Sequence, residues 1–257
     1  MEKKLIVFDL DGTLAPSKSP MDREMDHLLT ELLKVKKVAV IGGGKYGLFK
    51  LQLLSELTAP KELLKNLFLF PTTSTAFYRY DKGWKNVYTL KLSKRERDKI
   101  KKSFKEVFKE AGYVHPKKTY GPVIEDRGTQ VTFSALGQEI VARLGKKGIA
   151  LKDKWKKENT PMKVKMAKML GKKLPELEVH YAGFTSIDVT RKGIDKAYGV
   201  RQIRKHLHVP IKNMVFIGDA LFPGGNDYAA KKSGIQCIPI DGPEGTKKVI
   251  KKFLKEN

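Results

Sequence analysis

Cysteine is nearly absent: Cys237, in Ile-Gln-Cys-Ile-Pro-Ile, stands alone among 257 residues. An internal disulfide is excluded, and a lone thiol in an apolar run reads as a small buried hydrophobe of a cytoplasmic protein. Long apolar stretches are missing too. No window approaches eighteen uncharged apolar residues, so no helical membrane span is expected. The run Leu5–Phe8 is too brief for a signal-peptide core, and acidic residues follow it at once. Arginine is the third scarcity. Nine arginines stand among 52 basic residues, and the rest are lysines spread over nearly every expected helix. Base readout and phosphate forks use Arg, whereas dispersed Lys dresses a solvated surface. The net charge of +24 should attract anionic substrates generally, without marking a specific nucleic-acid binder.

What is present suits a soluble globular protein. Apolar residues make up 40% and charged residues 31%, and the length allows one or two good cores. Lys4 to Phe8 is a short run of β-branched and aromatic residues bounded by Asp9-Leu10-Asp11-Gly12, which reads as a buried parallel strand. Ligands bind at the C-terminal ends of such strands. Period-two geometry aims Asp9 and Asp11 to one side, where they repel unless a cation sits between them or one is protonated. A plainer reading makes Asp11-Gly12 a hairpin turn and Asp9 a helix cap. It loses to the recurrence of the same arrangement later in the chain.

Downstream, Asp22 caps a helix with Met25, Leu28, Leu29, Leu32 and Leu33 on one face. Lys37–Ile41 is a second strand, a helix runs through Leu48–Leu57, and Leu67–Phe70 is a third strand stopped by Pro71. This alternation means a parallel sheet with right-handed crossovers. From residue 85 the rhythm changes. Asn86–Leu92 alternates like a half-exposed strand, and Ser93 with Glu96 opens a capped helix that Gly112 closes. Strands at Gln130–Ser134, Leu177–Tyr181 and Ser186–Val189 and helices at Glu139–Leu144 and Pro161–Leu170 follow. The expected organisation is a Rossmann-like α/β core over residues 1–84 and 188–257, with an α+β cap inserted at 85–187.

Met214–Asp219 mirrors the opening strand, an apolar run ending in a carboxylate, followed by the loop Phe222-Pro223-Gly224-Gly225-Asn226-Asp227. Asp9, Asp219 and a backbone carbonyl would offer hard oxygen ligands suited to Mg2+. Gly42-Gly43-Gly44 ends a strand before a helix, where bare amides can hold a phosphate oxygen. Lys196, just after the return to the core, could neutralise Asp9 and a transferring phosphoryl group.

The string Phe8-Asp9-Leu10-Asp11-Gly12-Thr13-Leu14 resembles the first motif of the haloacid dehalogenase superfamily. The phosphate loop, the Lys and Gly218-Asp219 follow in that superfamily's order, and the cap's position resembles subfamily IIB. Within it, 218–227, Val40–Gly44 and Ile194-Asp195-Lys196 look like segments of eukaryotic-type phosphomannomutases. Gly42 in the phosphate loop, where most members carry Ser or Thr, fits those mutases. The resemblance implies that Asp9 is the phosphorylated nucleophile, that Asp11 is the general acid and base, and that Lys196 is catalytic. It also implies Mg2+ held by Asp9, the Asp11 carbonyl and Asp219, with Asn226 and Asp227 orienting the metal shell. For substrate, Arg127, Ser186 and Asp188 match the mutases, whereas Lys18 and Gln138 stand where those mutases have Arg. A third Arg has no clean counterpart, although Arg143 lies nearby. Losing charge-assisted forks weakens the grip on a second phosphate. The expected activity is therefore an Mg2+-dependent sugar-phosphate phosphatase, the alternative a phosphomannomutase-type mutase, and the third reading a non-catalytic lysine-rich nucleic-acid binder. A small phosphorylated sugar is the expected partner, and related mutases imply a homodimer through the cap.

Overall fold

The computed structural model describes residues 3–256; residues 1, 2 and 257, assigned above to the core range, lie outside the described residues. The chain forms two units, one running to Thr89 and resuming at Asp195, the other Leu90–Ile194.

The first unit is built on a seven-stranded sheet. Its strands are β1 (Leu5–Asp9), β2 (Lys37–Ile41), β3 (Leu67–Phe70), β4 (Ala76–Tyr80), β5 (Trp84–Thr89), β10 (Met214–Gly218) and β11 (Gln236–Pro239), numbered with the four strands of the second unit, in the order β11-β10-β1-β2-β3-β4-β5. The strands β11, β10, β1, β2 and β3 are parallel, and β4 and β5 add an antiparallel hairpin at one edge. β1 is buried along its whole length, as its uninterrupted apolar sequence requires with helices on both faces. Ile6 and Phe8 pack with the helices Arg23–Val35 and Gly242–Lys255, and Leu5 and Val7 pack with Val200 and Ile203 of the helix Lys196–Leu207. The cap expected at Asp22 is present, its side chain accepting from the amide of Met25 at 2.9 Å.

The second unit carries a four-stranded antiparallel sheet, β6 (Ile124–Asp126), β7 (Val131–Ser134), β8 (Leu177–Ala182) and β9 (Ser186–Arg191), in the order β6-β7-β9-β8. One face packs on two helices, with Phe104, Phe108, Trp155, Met166 and Leu170 against Val131, Phe133, Ile187 and Val189. The helix Lys94–Ala111 has the Ser93–Glu96 capping box and ends on left-handed Gly112.

Three expectations need correction. The boundaries at 84/85 and 187/188 shift: β5 pairs with β4, so residues 85–89 belong to the first unit. β9 pairs with β8 through Arg191, so 188–194 belong to the second. Pro161 does not start a helix but lies exposed inside one continuous helix, Lys146–Lys173. An internal proline forfeits one backbone bond, a loss that water can make good on an exposed face. The helix expected through Leu48–Leu57 is a short α turn, Tyr46–Phe49, that widens to a π turn over Lys50–Leu54.

Phe133 is fully buried among Phe104, Phe108 and Tyr113. Phe133→Ala should destabilise the second unit by about 3–5 kcal/mol, read as a lowered denaturant midpoint.

Candidate active site

Four side chains meet where β1 and β10 end. Phe8 lies opposite Ile217, so the next residues, Asp9 on one strand and Gly218-Asp219 on the other, leave the sheet side by side. Asp9, Asp219 and Asp227 bring carboxylate oxygens within 4.8 Å of one another. Asp227 reaches them because its loop folds back beneath Gly218: its Oδ2 accepts from the amide of Ala220 at 2.9 Å, and a Cβ on residue 218 would collide with its carboxylate.

Lys196 closes the group. Its Nζ lies 2.5 Å from Asp9 Oδ1, bonds Asp227 Oδ1 as well, and sits 5.6 Å from the Phe216 ring centroid. It stands in the first turn of its helix, whose N-cap Asp195 accepts from the amide of Tyr198. Burial disfavours the ammonium, but Asp227 and Asp9 outweigh it and hold its pKa above the usual lysine value. Burial pushes the Asp9 carboxyl well up; Lys196 opposes that, and Asp227 and Asp219 add to it. Asp219 is also raised, by burial and then by Asp227. Three carboxylates facing one ammonium leave excess negative charge, which a divalent cation or protons must offset.

The donor set fits a hard cation, since every ligand in reach is oxygen. Gly12 (φ +83°) leaves a cradle beside Asp219: a Cβ there would lie 2.6 Å from Asp219 Oδ2. Thr13 Oγ1 donates to Asp219 Oδ1 at 3.3 Å.

Asp11 departs from expectation. β1 ends at Asp9, so period-two geometry no longer governs residue 11, and its carboxylate stands apart from the trio. Asp11 Oδ1 accepts from the amide of Lys18 at 2.7 Å and from Gln52 Nε2 at 3.0 Å. Asp227 takes the place in the carboxylate group that Asp11 was expected to fill, and Asn226 is exposed outside it. Sequence reasoning missed Gln52. It is a fully buried amide within Leu51-Gln52-Leu53-Leu54, a stretch in which no sequence motif marks it.

Gly42–Gly44 follows β2 as expected, with the carbonyls of Gly42 and Gly44 accepting from the amides of Thr73 and Thr72. In the second unit, Arg127 donates to Glu125 (2.8 Å) and to Gln138 Oε1 (3.2 Å). Asp188 is buried on β9; burial raises its pKa against the pull of Arg127 and a bond from Thr132. Ser186 opens the same strand. Arg143 does not join them. It lies exposed on the short helix Ile140–Leu144, forked onto Glu139.

The chain belongs to the haloacid dehalogenase-like hydrolases, whose family model matches residues 6–229. It is an enzyme of the phosphotransferase class. It is 26% identical to a phosphomannomutase of Encephalitozoon cuniculi over 99% of this chain and 95% of that protein. Its fold matches the N-terminally truncated IMP-nucleotidase of Plasmodium falciparum with a TM-score of 0.72 at 17% identity, over 100% of this chain and 71% of that one. The trehalose-6-phosphate phosphatase of Aspergillus fumigatus matches with a TM-score of 0.56 at 16% identity, over 99% and 93%. No described helix is long and apolar enough to cross a membrane.

Removing Lys196 exposes what it offsets. A carboxyl whose pKa is raised by folding binds more protons folded than unfolded, so stability falls as pH rises through the folded value. Lys196→Met deletes the charge opposing that rise at Asp9. The variant should lose about 3–5 kcal/mol at pH 7, lose less at pH 5, and recover partly in Mg2+. Thermal melts at the two pH values, with and without Mg2+, check this.

Proposed function

We propose that the chain is an Mg2+-dependent phosphatase of a small phosphorylated sugar, working through an aspartyl-phosphate. The observation that carries this is the carboxylate trio Asp9, Asp219 and Asp227, with the buried Asp9 and Asp227 both bonded to Lys196 and Asp11 held separately beside it. Asp9, Asp219 and Asp227, with the Asp11 carbonyl, would hold the cation. When bound, Mg2+ offsets the repulsion between carboxylate and phosphate oxygens and stabilises charge developing in transfer.

The residues divide the remaining work. A carboxylate oxygen of Asp9 attacks phosphorus as the bond to the sugar oxygen breaks. Asp11 gives its proton to that leaving oxygen, then takes one from the attacking water, which releases phosphate and restores Asp9. The hydrogen bonds from Lys18 and Gln52 to Oδ1 fix the orientation of the Asp11 carboxyl group. Lys196 favours the ionised form of Asp9 against its burial and meets the charge on the phosphoryl oxygens. The amide of Gly42 is already bonded to the carbonyl of Phe70, so the amides that follow it in the loop would supply any further donors.

Water is favoured over a second sugar hydroxyl as acceptor by the second unit. A mutase must retain a bisphosphate, and bidentate arginines suit that task. Arg127 is already engaged by Glu125 and Gln138, and Arg143 is turned onto Glu139. The breadth of the likeness to phosphomannomutases favours the mutase as the second reading. Incubation with phosphorylated sugars and Mg2+, scoring free phosphate and isomerised product, separates the two. Mannose 1-phosphate with a bisphosphate activator is the deciding substrate.

Asp9→Asn should abolish turnover while leaving the melting profile folded; retained turnover would reassign the nucleophile. Gln52→Leu should lower kcat roughly tenfold to a hundredfold with KM little changed, because it loosens the proton carrier and not the phosphate grip.

A further inference from the structure

Directly after β3 the backbone makes a turn of left-handed helix without glycine. Thr72, Thr73 and Ser74 have φ of 49°, 54° and 67°. L-residues visit this region singly and seldom, and consecutive ones persist only where the surroundings over-determine them. Here the surroundings do. The amide and hydroxyl of Thr75 donate to the carbonyl of Thr72 at 3.1 and 2.8 Å. The Tyr88 hydroxyl donates to the carbonyl of Ser74 at 3.0 Å.

Both flanks of the turn contact elements that carry residues of the proposed site. On one, Thr72 N–H donates to the carbonyl of Gly44 at 2.8 Å and Thr73 N–H to that of Gly42 at 2.9 Å. In a trans peptide the carbonyl and the following amide point oppositely. Tying down these two carbonyls therefore aims the amides of Gly43 and Lys45 away from the turn. On the other flank lies Gly199, one turn along the helix that begins at Lys196. A Cβ on residue 199 would overlap Ser74 Oγ and lie 2.8 Å from Ile41 Cδ1. Ser74 is wholly buried, and its hydroxyl has no partner among the described residues.

We propose that the left-handed turn Thr72–Ser74 is a positioning device that sets the Gly42–Gly44 loop and the Lys196 helix relative to each other, with Ser74 and Gly199 as the positioning residues. The inference rests on the phosphoryl-transfer reading. Neither residue touches the reacting atoms. The turn works by geometry, placing backbone donors and one ammonium on opposite sides of the same phosphoryl group. Its strain is held in place by contacts to both.

A double-substitution cycle tests this. Gly199→Ala inserts a wedge against Ser74, whereas alanine without that contact would only favour the helix. Its kcat should fall tenfold to a hundredfold, with a smaller change in KM. Ser74→Gly removes the obstructing side chain and suits the positive φ, so its melting temperature should rise while its kcat falls. The double variant should regain most of the activity that Gly199→Ala loses. Amide hydrogen exchange over residues 42–45 gives a readout without turnover: faster in Gly199→Ala, restored in the double variant. A fully active Gly199→Ala protein, or a double variant no better than Gly199→Ala, overturns the proposal. Should Gly199→Ala fail to fold, Ser74→Gly decides alone, and an unchanged kcat there refutes it. Wild-type protein inactive on every phosphate ester would sink the enzymatic reading instead, while the exchange cycle still judges the device.

Discussion

The structure of the first unit turns on one buried ammonium. Lys196 is 3% exposed and bonds two carboxylates contributed by strand β1 and by the loop after β10, while a third lies close by. None of these groups could be buried alone, since an unpaired charge in a dry interior is costly. Together they remain charged in excess, and that imbalance is useful. In the proposed reading it would draw in a cation, and the cation with the ammonium would make a place where a phosphoryl group can sit among carboxylates. The sheet order explains why these partners meet. β1 lies between β10 and β2, so the ends of the first and tenth strands are neighbours although about two hundred residues separate them.

Much of this was legible because it rests on local pattern. Uninterrupted apolar runs identified β1, β2, β3 and β10, and the N-terminal caps read at Asp22 and Ser93 stand in the structure. The fold class and the family were readable from motifs at the strand ends. The parts that escaped depend on tertiary contact. Asp11 looked like a partner of Asp9 because alternation was carried past the last strand residue. The chain leaves the strand there, so Asp227, distant in sequence, holds that place. Gln52 escaped because an amide inside a leucine-rich helix has no motif; only the fold brings it 3.0 Å from Asp11.

The left-handed turn was the least legible feature. Pro-Thr-Thr-Ser-Thr contains no glycine or asparagine, the residues that ordinarily announce positive φ. Pro71 ends β3 as expected, yet the conformation of Thr72, Thr73 and Ser74 is set by long-range bonds to Gly42, Gly44 and Tyr88. Local propensity disagrees with the observed conformation, and tertiary bonds prevail. Such disagreement is expected where backbone precision serves a site.

In the second unit the same logic bears on which acceptor the proposed chemistry would use. A transferred phosphoryl group passes to whichever acceptor is held in line, and holding a sugar bisphosphate takes several cationic forks. Here the arginine matching the mutase pattern is engaged by an acid and an amide, and the nearby Arg143 faces solvent beside its own acid. Gln138 accepts a hydrogen bond from Arg127 and adds no charge, so in the phosphatase reading proposed above the unit would grip a second phosphate weakly. Weak retention of an intermediate is a defect in a mutase. In a phosphatase it has no cost, because water is always at hand.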